Sequence, residues 1–140
     1  MQEQQRILSI DFGLKRIGLA ITDPLRIFAY PLTTIQNDGN FWITFNKVLQ
    51  EFEIEFILLG YPLKEDGSKS TSTKLVEEFK LELAKRYKYP IKLCDERYSS
   101  EIAKQRIIES VTSKKKRRDK GLVDKNAAAI MLEDYLRENG

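Results

Sequence analysis

Acidic side chains occupy three places in this sequence where α/β proteins tend to build active sites. Asp11 ends an apolar stretch, Asp95 and Glu96 end another, and Asp124 stands at the expected start of the last helix. In an open α/β sheet, the crevice at the carboxyl ends of the strands is the usual location of a site. A divalent cation such as Mg²⁺ is commonly bound by one or two carboxylates together with substrate phosphates. These acids are therefore candidate metal ligands.

Each acid also has a purely structural interpretation, which the sequence alone leaves open. Asp11 can accept hydrogen bonds from the turn formed by residues 13–16, and the adjacent pair of acids can bind Arg97 or a helix N-terminus. Asp124 can be a helix N-cap, because the Asp side chain accepts hydrogen bonds from the first backbone N–H groups of a helix.

The composition excludes several kinds of chemistry. The chain has 140 residues, no His and one Cys, so it lacks nucleophiles activated by His, His-ligated zinc sites and internal disulfides. Its length predicts a single domain over residues 1–140. The polar N-terminus is not a secretory signal, and no apolar run approaches the roughly 20 residues of a membrane span. We therefore expect a soluble cytoplasmic protein that does not contact membranes.

A dense basic stretch interrupts a chain that is otherwise faintly acidic. Residues 114–120 contain six basic residues and one acid, while the whole chain has a net charge of only +3. Such a stretch is either a solvated loop or an anchor for phosphates, and phosphate binding releases counterions and becomes sensitive to salt. The candidate phosphate-binding residues within it are Lys114, Lys115, Lys116, Arg117 and Arg118.

The order of the apolar patterns predicts one α/β domain with a mixed sheet. Residues 7–10 and 17–21 form two strands joined by a tight turn at 13–16. A third strand over 28–35 contains Pro31, which favours an edge or a bulge. Residues 56–59 have the continuous apolar character of a buried central strand, and residues 91–94 form the last strand.

Apolar residues at helical spacing predict four helices. The first covers 41–52, the second carries apolar residues over 75–83, the third begins near residues 99 and 100, and the last follows Asp124. The aromatic residues at the start of the first helix, Phe41, Trp42 and Phe45, are expected in the core. No aromatic RNA-recognition motif is visible.

Five sequence blocks together resemble a known family. In their order and spacing they are similar to the YqgF/RuvX family over residues 7–136, nearly the whole chain. The resemblance implies a ribonuclease H-like α/β fold, with a mixed five-stranded sheet and helices on both faces, related to the Holliday-junction resolvase RuvC. The blocks are Ile10-Asp11-Phe12-Gly13-Leu14-Lys15-Arg16-Ile17-Gly18-Leu19-Ala20, Gly60-Tyr61-Pro62-Leu63, Asp66-Gly67, Asp95-Glu96-Arg97, and Val123-Asp124 before Ala127-Ala128.

The resemblance also implies roles for the acids. Asp11 corresponds to the first-strand acid, Glu96 to the second acid and Asp124 to the acid at the start of the final helix, and all three would be catalytic metal ligands. Asp95 remains an alternative to Glu96. One or two Mg²⁺ or Mn²⁺ ions would support phosphodiester hydrolysis, and this chemistry needs no His.

The function implied is that of a nuclease acting on nucleic acid. Lys15, Arg16 and Arg97 would hold phosphates near the scissile bond, and the basic stretch would bind the backbone farther away. The favoured substrate is the precursor of 16S ribosomal RNA, cut during maturation of its 5′ end in ribosome biogenesis. The alternatives are a Holliday-junction resolvase-like DNA nuclease and a non-catalytic RNA- or ribosome-binding module.

Overall fold

The computed structural model describes residues 5–64, 66–95 and 120–139, with side chains in the last range from residue 126 onward. The predicted third helix lies outside these ranges. The elements in chain order are β1 (Arg6–Asp11), β2 (Arg16–Thr22), β3 (Ala29–Gln36), α1 (Phe41–Leu49), β4 (Ile54–Tyr61), α2 (Thr71–Arg86), β5 (Ile91–Asp95) and α3 (Lys120–Asn139).

The five strands form one mixed sheet in the order β3-β2-β1-β4-β5. Strand β2 is antiparallel to both β1 and β3, whereas β1, β4 and β5 run parallel to one another. The carboxyl ends of β1, β4 and β5, at Asp11, Tyr61 and Asp95, therefore lie along one side of the sheet, which we call the carboxyl edge. The predicted mixed sheet is confirmed, and β4 is a buried interior strand between β1 and β5.

Helices cover both faces of the sheet because successive strand residues point to opposite sides. On one side, which we call the helix-pair face, Leu8 and Ile10 pack with buried residues of α1 and α2. On the other side, the α3 face, Ile7 packs with α3. The helix residues in these two clusters are Phe41, Phe45, Leu49, Val76, Phe79 and Leu83 on the helix-pair face, and Ala128, Ala129, Met131 and Leu132 on the α3 face.

The third strand confirms both alternatives that Pro31 suggested. Within the described chain, β3 is an edge strand, where the missing N–H of proline breaks no ladder. The pairing with β2 also shifts register: Leu19 pairs with Thr33, whereas the next residue, Ala20, pairs with Pro31.

The first helix is shorter than its apolar spacing predicts. It ends at Leu49, and the backbone N–H groups of Glu51 and Phe52 donate to the carbonyls of Val48 and Leu49. Bonds of this three-residue span tighten the chain into a turn. Phe52 therefore leaves the helix, yet its side chain still packs against the core of the helix-pair face.

A buried hydrogen bond fixes α3 on the central strand. Ser9 is fully buried, and its Oγ donates to the carbonyl oxygen of Ala128 at 2.9 Å. The neighbouring Ala20 and Ala128 are both buried, and their small side chains let helix and sheet approach closely. Ser9 thus sets the position of α3 along β1, two residues before Asp11.

We expect Ser9→Ala to lower the free energy of unfolding by about 1 kcal/mol, the usual net value of a buried neutral hydrogen bond. Denaturant unfolding measures this change. Ser72→Ala, at an exposed position of α2, is the matched control and should change stability by less than about 0.5 kcal/mol. Equal losses in the two variants would show that the Ser9 contact does not hold α3.

Candidate functional site

Asp11 is the last residue of β1 and lies half-buried at the carboxyl edge. By strand alternation it shares the α3 face with Ile7 and Ser9. Its register partner on β2 is Gly18. On β4, Gly60 directly follows Leu59, the partner of Ile10. The positions in register with Asp11 on both neighbouring strands are therefore glycines, and glycine within a strand often marks a place where a ligand approaches closely.

The turn after Asp11 is held rigidly. A Cβ atom at Gly13 would lie 2.4 Å from the carbonyl oxygen of Arg16, so only glycine fits. Asn37 secures the turn from β3: its Nδ2 donates to the Gly13 carbonyl and its backbone N–H donates to the Lys15 carbonyl, both at 2.9 Å. These bonds hold the two predicted phosphate-binding residues of the turn, Lys15 and Arg16, at the carboxyl edge.

Strand alternation assigns a face of the sheet to Asp95, the last residue of β5. Cys94 packs against the cluster of the α3 face. Asp95 pairs in register with Tyr61, whose side chain packs against the core of the helix-pair face. Asp95 is exposed and lies on the opposite face of the sheet from Asp11. Glu96 lies outside the described residues.

Asp124 does not start the last helix. The helix α3 begins at Lys120, so Asp124 stands four residues inside it, and the interpretation as an N-cap is wrong. A cap residue contributes only about 1 kcal/mol, which is too little to stop a helix whose following residues pack against a sheet. The sequence therefore located the last helix but misplaced its first residue.

The direction of α3 places the Asp124 backbone toward the carboxyl edge. Tyr135, near the end of α3, packs against Phe56 in the first half of β4, with ring centroids 5.8 Å apart. Ala128, earlier in α3, contacts Ser9 in the second half of β1. The helix therefore runs opposite to the parallel strands, and Asp124 lies one turn closer to the carboxyl edge than Ala128.

The described residues contain only part of the predicted site. Asp11, Lys15 and Arg16 lie together at one edge, while Glu96, Arg97 and the basic residues 114–118 lie outside the described ranges. Among the described side chains, no three His, Cys, Asp or Glu residues form a group that would hold a metal ion. The predicted metal site thus depends on Glu96 and Asp124 joining Asp11.

Two residues that shape this site were not singled out for that role from the sequence. Asn37 follows the third strand in a short polar segment, and it anchors the loop beside Asp11. Ser9 looked like an ordinary strand residue, although it binds a carbonyl 119 positions away. A small polar residue within an apolar strand is the signal that identifies such a buried contact.

No helix in the described part of the chain is long and apolar enough to cross a membrane.

Comparison with known proteins gives one family and one fold. The family model described as "RuvX: Holliday junction resolvase" matches residues 5–138. A protein of Chlorobium phaeobacteroides named "Putative pre-16S rRNA nuclease" is 42% identical over 137 residues, covering 97% of this chain and 94% of the relative. A protein of the same name from Flavobacterium psychrophilum is 40% identical over 132 residues, covering 94% and 96%.

Solved structures resemble this chain in fold. RuvC of Thermus thermophilus, bound to a Holliday junction substrate, matches with a TM-score of 0.57 at 17% sequence identity and 96% coverage of both chains. Fowlpox virus resolvase, in complex with Holliday junction DNA, matches with a TM-score of 0.54 at 16% identity, covering 96% of this chain and 98% of the viral one. The ribonuclease H-like architecture expected from the sequence is thereby confirmed.

We expect Gly13→Ala to lower the free energy of unfolding by about 1–3 kcal/mol, because the added methyl group must displace the Arg16 carbonyl. Gly39→Ala is the matched control, since a Cβ atom there meets nothing within 4 Å. Denaturant unfolding of both variants tests the difference. A Gly13→Ala chain as stable as Gly39→Ala would contradict the rigid turn.

Proposed function

This chain belongs to the RuvX family, and on that premise we propose that it is a metal-dependent nuclease that matures the 5′ end of pre-16S ribosomal RNA. The observation that carries the proposal is the setting of Asp11. It ends the central strand at the carboxyl edge, with glycines on both neighbouring strands. The names and full-length similarity of the relatives support the choice of substrate, and a ribosomal substrate places the enzyme in the cytoplasm.

The proposed catalytic acids are Asp11, Glu96 and Asp124. Alternation along β5 supports Glu96 over Asp95, because Cys94 is on the α3 face and a continued strand would return to that face at the second residue after it. The direction of α3 supports Asp124, whose helix runs toward the carboxyl edge. All three acids would thus approach one end of the α3 face within a single domain over residues 1–140.

Three carboxylates form an oxygen-only ligand set, which suits one or two Mg²⁺ or Mn²⁺ ions. Such an ion, if bound by these acids, would supply charge stabilisation for the phosphoryl oxygens and would make water a better nucleophile. The chain itself binds and orients the substrate. Lys15 and Arg16, on the turn held by Asn37, would offset the negative charge of the phosphates. Arg97, which lies outside the described residues, is proposed to contribute to the same role. Because the nucleophile needs no imidazole, the absence of His is no obstacle.

A resolvase-like activity on branched DNA is the second candidate. The description of the matching family model favours it, and it would use the same three acids. Phosphate contacts alone do not distinguish RNA from DNA. A cleavage panel with Mg²⁺ or Mn²⁺ separates the candidates by comparing single-stranded RNA, a pre-16S RNA fragment and a four-way DNA junction.

We expect Asp11→Asn to reduce cleavage of the pre-16S fragment by at least about a hundredfold, since loss of outer-shell partners alone costs roughly 10–100-fold at metal sites. Glu96→Gln and Asp124→Asn should cause similar losses. Asp95→Asn is the matched control, because it changes the adjacent acid on the other face of the sheet and should retain nearly full activity.

Three outcomes would contradict parts of this proposal. An Asp11→Asn chain that cuts at the wild-type rate would exclude the acid mechanism. A strong loss of cleavage in Asp95→Asn, together with an active Glu96→Gln chain, would assign the catalytic role to Asp95 instead of Glu96. A wild-type chain that binds RNA but cuts none of the three substrates would identify a non-catalytic RNA- or ribosome-binding module.

We also expect replacement of Lys114, Lys115, Lys116, Arg117 and Arg118 by Gln to weaken RNA binding and flatten its dependence on salt. Each lost phosphate contact should reduce the slope of log affinity against log salt by about 0.7 for a single strand. Titrations at several salt concentrations measure the slope, and the melting temperature checks the fold. An unchanged slope would show that the basic stretch is only a solvated surface.

A further inference from the structure

A cationic groove lies on the helix-pair face, away from Asp11 and α3. It has a volume of about 610 Å³ and runs between α1 and the C-terminal end of α2, where Trp42, Asn46, Lys47, Arg86 and Tyr87 line it. Of the described residues that line it, Lys47 and Arg86 carry positive charges and none carries a carboxylate. The groove therefore combines aromatic surface with positive charge.

Planar groups are layered at the centre of this groove. The ring of Trp42 stacks on Phe79, with centroids 5.4 Å apart and an interplanar angle of 12°. The guanidinium carbon of Arg86 lies over the Trp42 ring at 4.4 Å from its centroid. An arginine held over an aromatic ring is planar and weakly hydrated. The Arg86 side chain is still 45% exposed, so the layers end in a guanidinium that solvent reaches.

The groove is ordered before any ligand arrives. Glu82, on the same helix, lies 3.7 Å from Nε of Arg86 and restrains it. On the opposite wall, the Tyr87 hydroxyl donates to Oδ1 of Asn46 at 3.3 Å, and the Tyr87 ring stacks on Tyr89 at 6.1 Å. Burial raises the pKa of Tyr87 above its usual value. Preorganised walls lower the entropic cost of binding.

We propose that this groove binds a single-stranded RNA segment of the substrate, with one base stacked on Arg86 and a neighbouring phosphate held by Lys47. Unstacked bases bind to aromatic rings and to arginine planes regardless of sequence. The two cations provide the charge that a phosphate backbone requires. The stacking chemistry follows from the groove itself, whereas the choice of RNA as the ligand rests on the proposed function.

The location of the groove defines its role in that function. The groove and Asp11 lie on opposite faces of the sheet, so the bound segment is not the segment that is cut. The groove would hold RNA that flanks the scissile bond, and the substrate must pass around the sheet to reach both places. A short RNA should therefore occupy the groove without being cleaved there.

Trp42 makes the proposal directly testable because it is the only tryptophan in the chain. We would titrate the full chain with a single-stranded RNA of about ten nucleotides, within the usual site sizes for single strands. A metal chelator prevents cleavage during the titration. A saturable change in Trp42 fluorescence, which weakens as salt increases, is the expected result.

Variants on one helix separate stacking from simple charge. Arg86→Ala should weaken RNA binding roughly tenfold, as expected for loss of one stacked base. Arg86→Lys keeps the charge but removes the plane, so it should also weaken binding several-fold. Lys85→Ala is the matched control: Lys85 is adjacent, 73% exposed and also paired with Glu82, and its loss should change affinity by less than about twofold. Anisotropy of a labelled RNA measures all three variants, because Arg86 itself affects Trp42 fluorescence.

Two results would overturn the inference. One is RNA binding that leaves Trp42 fluorescence unchanged, which would place the RNA elsewhere. The other is a Lys85→Ala chain that binds RNA as weakly as Arg86→Ala does. That result would show that Arg86 contributes only general positive charge and not a stacking surface. Cleavage by the metal-loaded wild-type chain is measured separately: a chain that shows the Trp42 response but never cuts RNA refutes the nuclease function and leaves the groove intact.

Discussion

The packing of α3 against β1 is the interaction on which the rest of the structure depends. Among the described residues, a buried hydrogen bond from Ser9 Oγ to the Ala128 carbonyl fixes it, between small residues that let helix and sheet approach closely. Two residues after Ser9, the strand ends at Asp11. One turn before Ala128, the helix carries Asp124. A change in the position of α3 along β1 would move the two proposed ligands relative to each other. The site tolerates little such movement, because metal ligands must converge within a few ångströms.

The carboxyl edge has a rigid turn after Asp11 and glycine at the register positions on both neighbouring strands. Gly13 and Asn37 hold the turn that follows Asp11, and Gly18 and Gly60 flank the acid on both neighbouring strands. Rigidity lowers the cost of holding acids and cations close together before substrate binds, and glycine at the two register positions leaves space beside the Asp11 backbone. Both features suit a site that binds a bulky phosphate backbone.

The two faces of the sheet have different chemistry because strand residues alternate. The α3 face carries Asp11, and alternation assigns Asp95 to the other side. The helix-pair face carries the groove in which Arg86 covers Trp42. A nucleic-acid substrate that contacts both faces would be held at two separated places, so that binding and cleavage could be adjusted independently by residues that do not touch each other.

The sequence by itself determined the family, the order of the described strands and helices, an edge or a bulge at Pro31 and the candidate acids, because these follow from local apolar periodicity and short motifs. It placed the start of the last helix at Asp124 and extended the first helix to Phe52, and both boundaries were wrong, since helix ends depend on weak local preferences that packing readily overrides. Only the tertiary structure decided that Asp95 lies on the face away from Asp11 and that Ser9 binds Ala128. It also decided that Asn37 anchors the turn at Gly13. Finally, it showed that Trp42 lies beneath Arg86 rather than wholly in the core. The physical reason is that each of these facts is a contact between residues far apart in the chain, and such contacts exist only after the sheet has paired and the helices have packed on it.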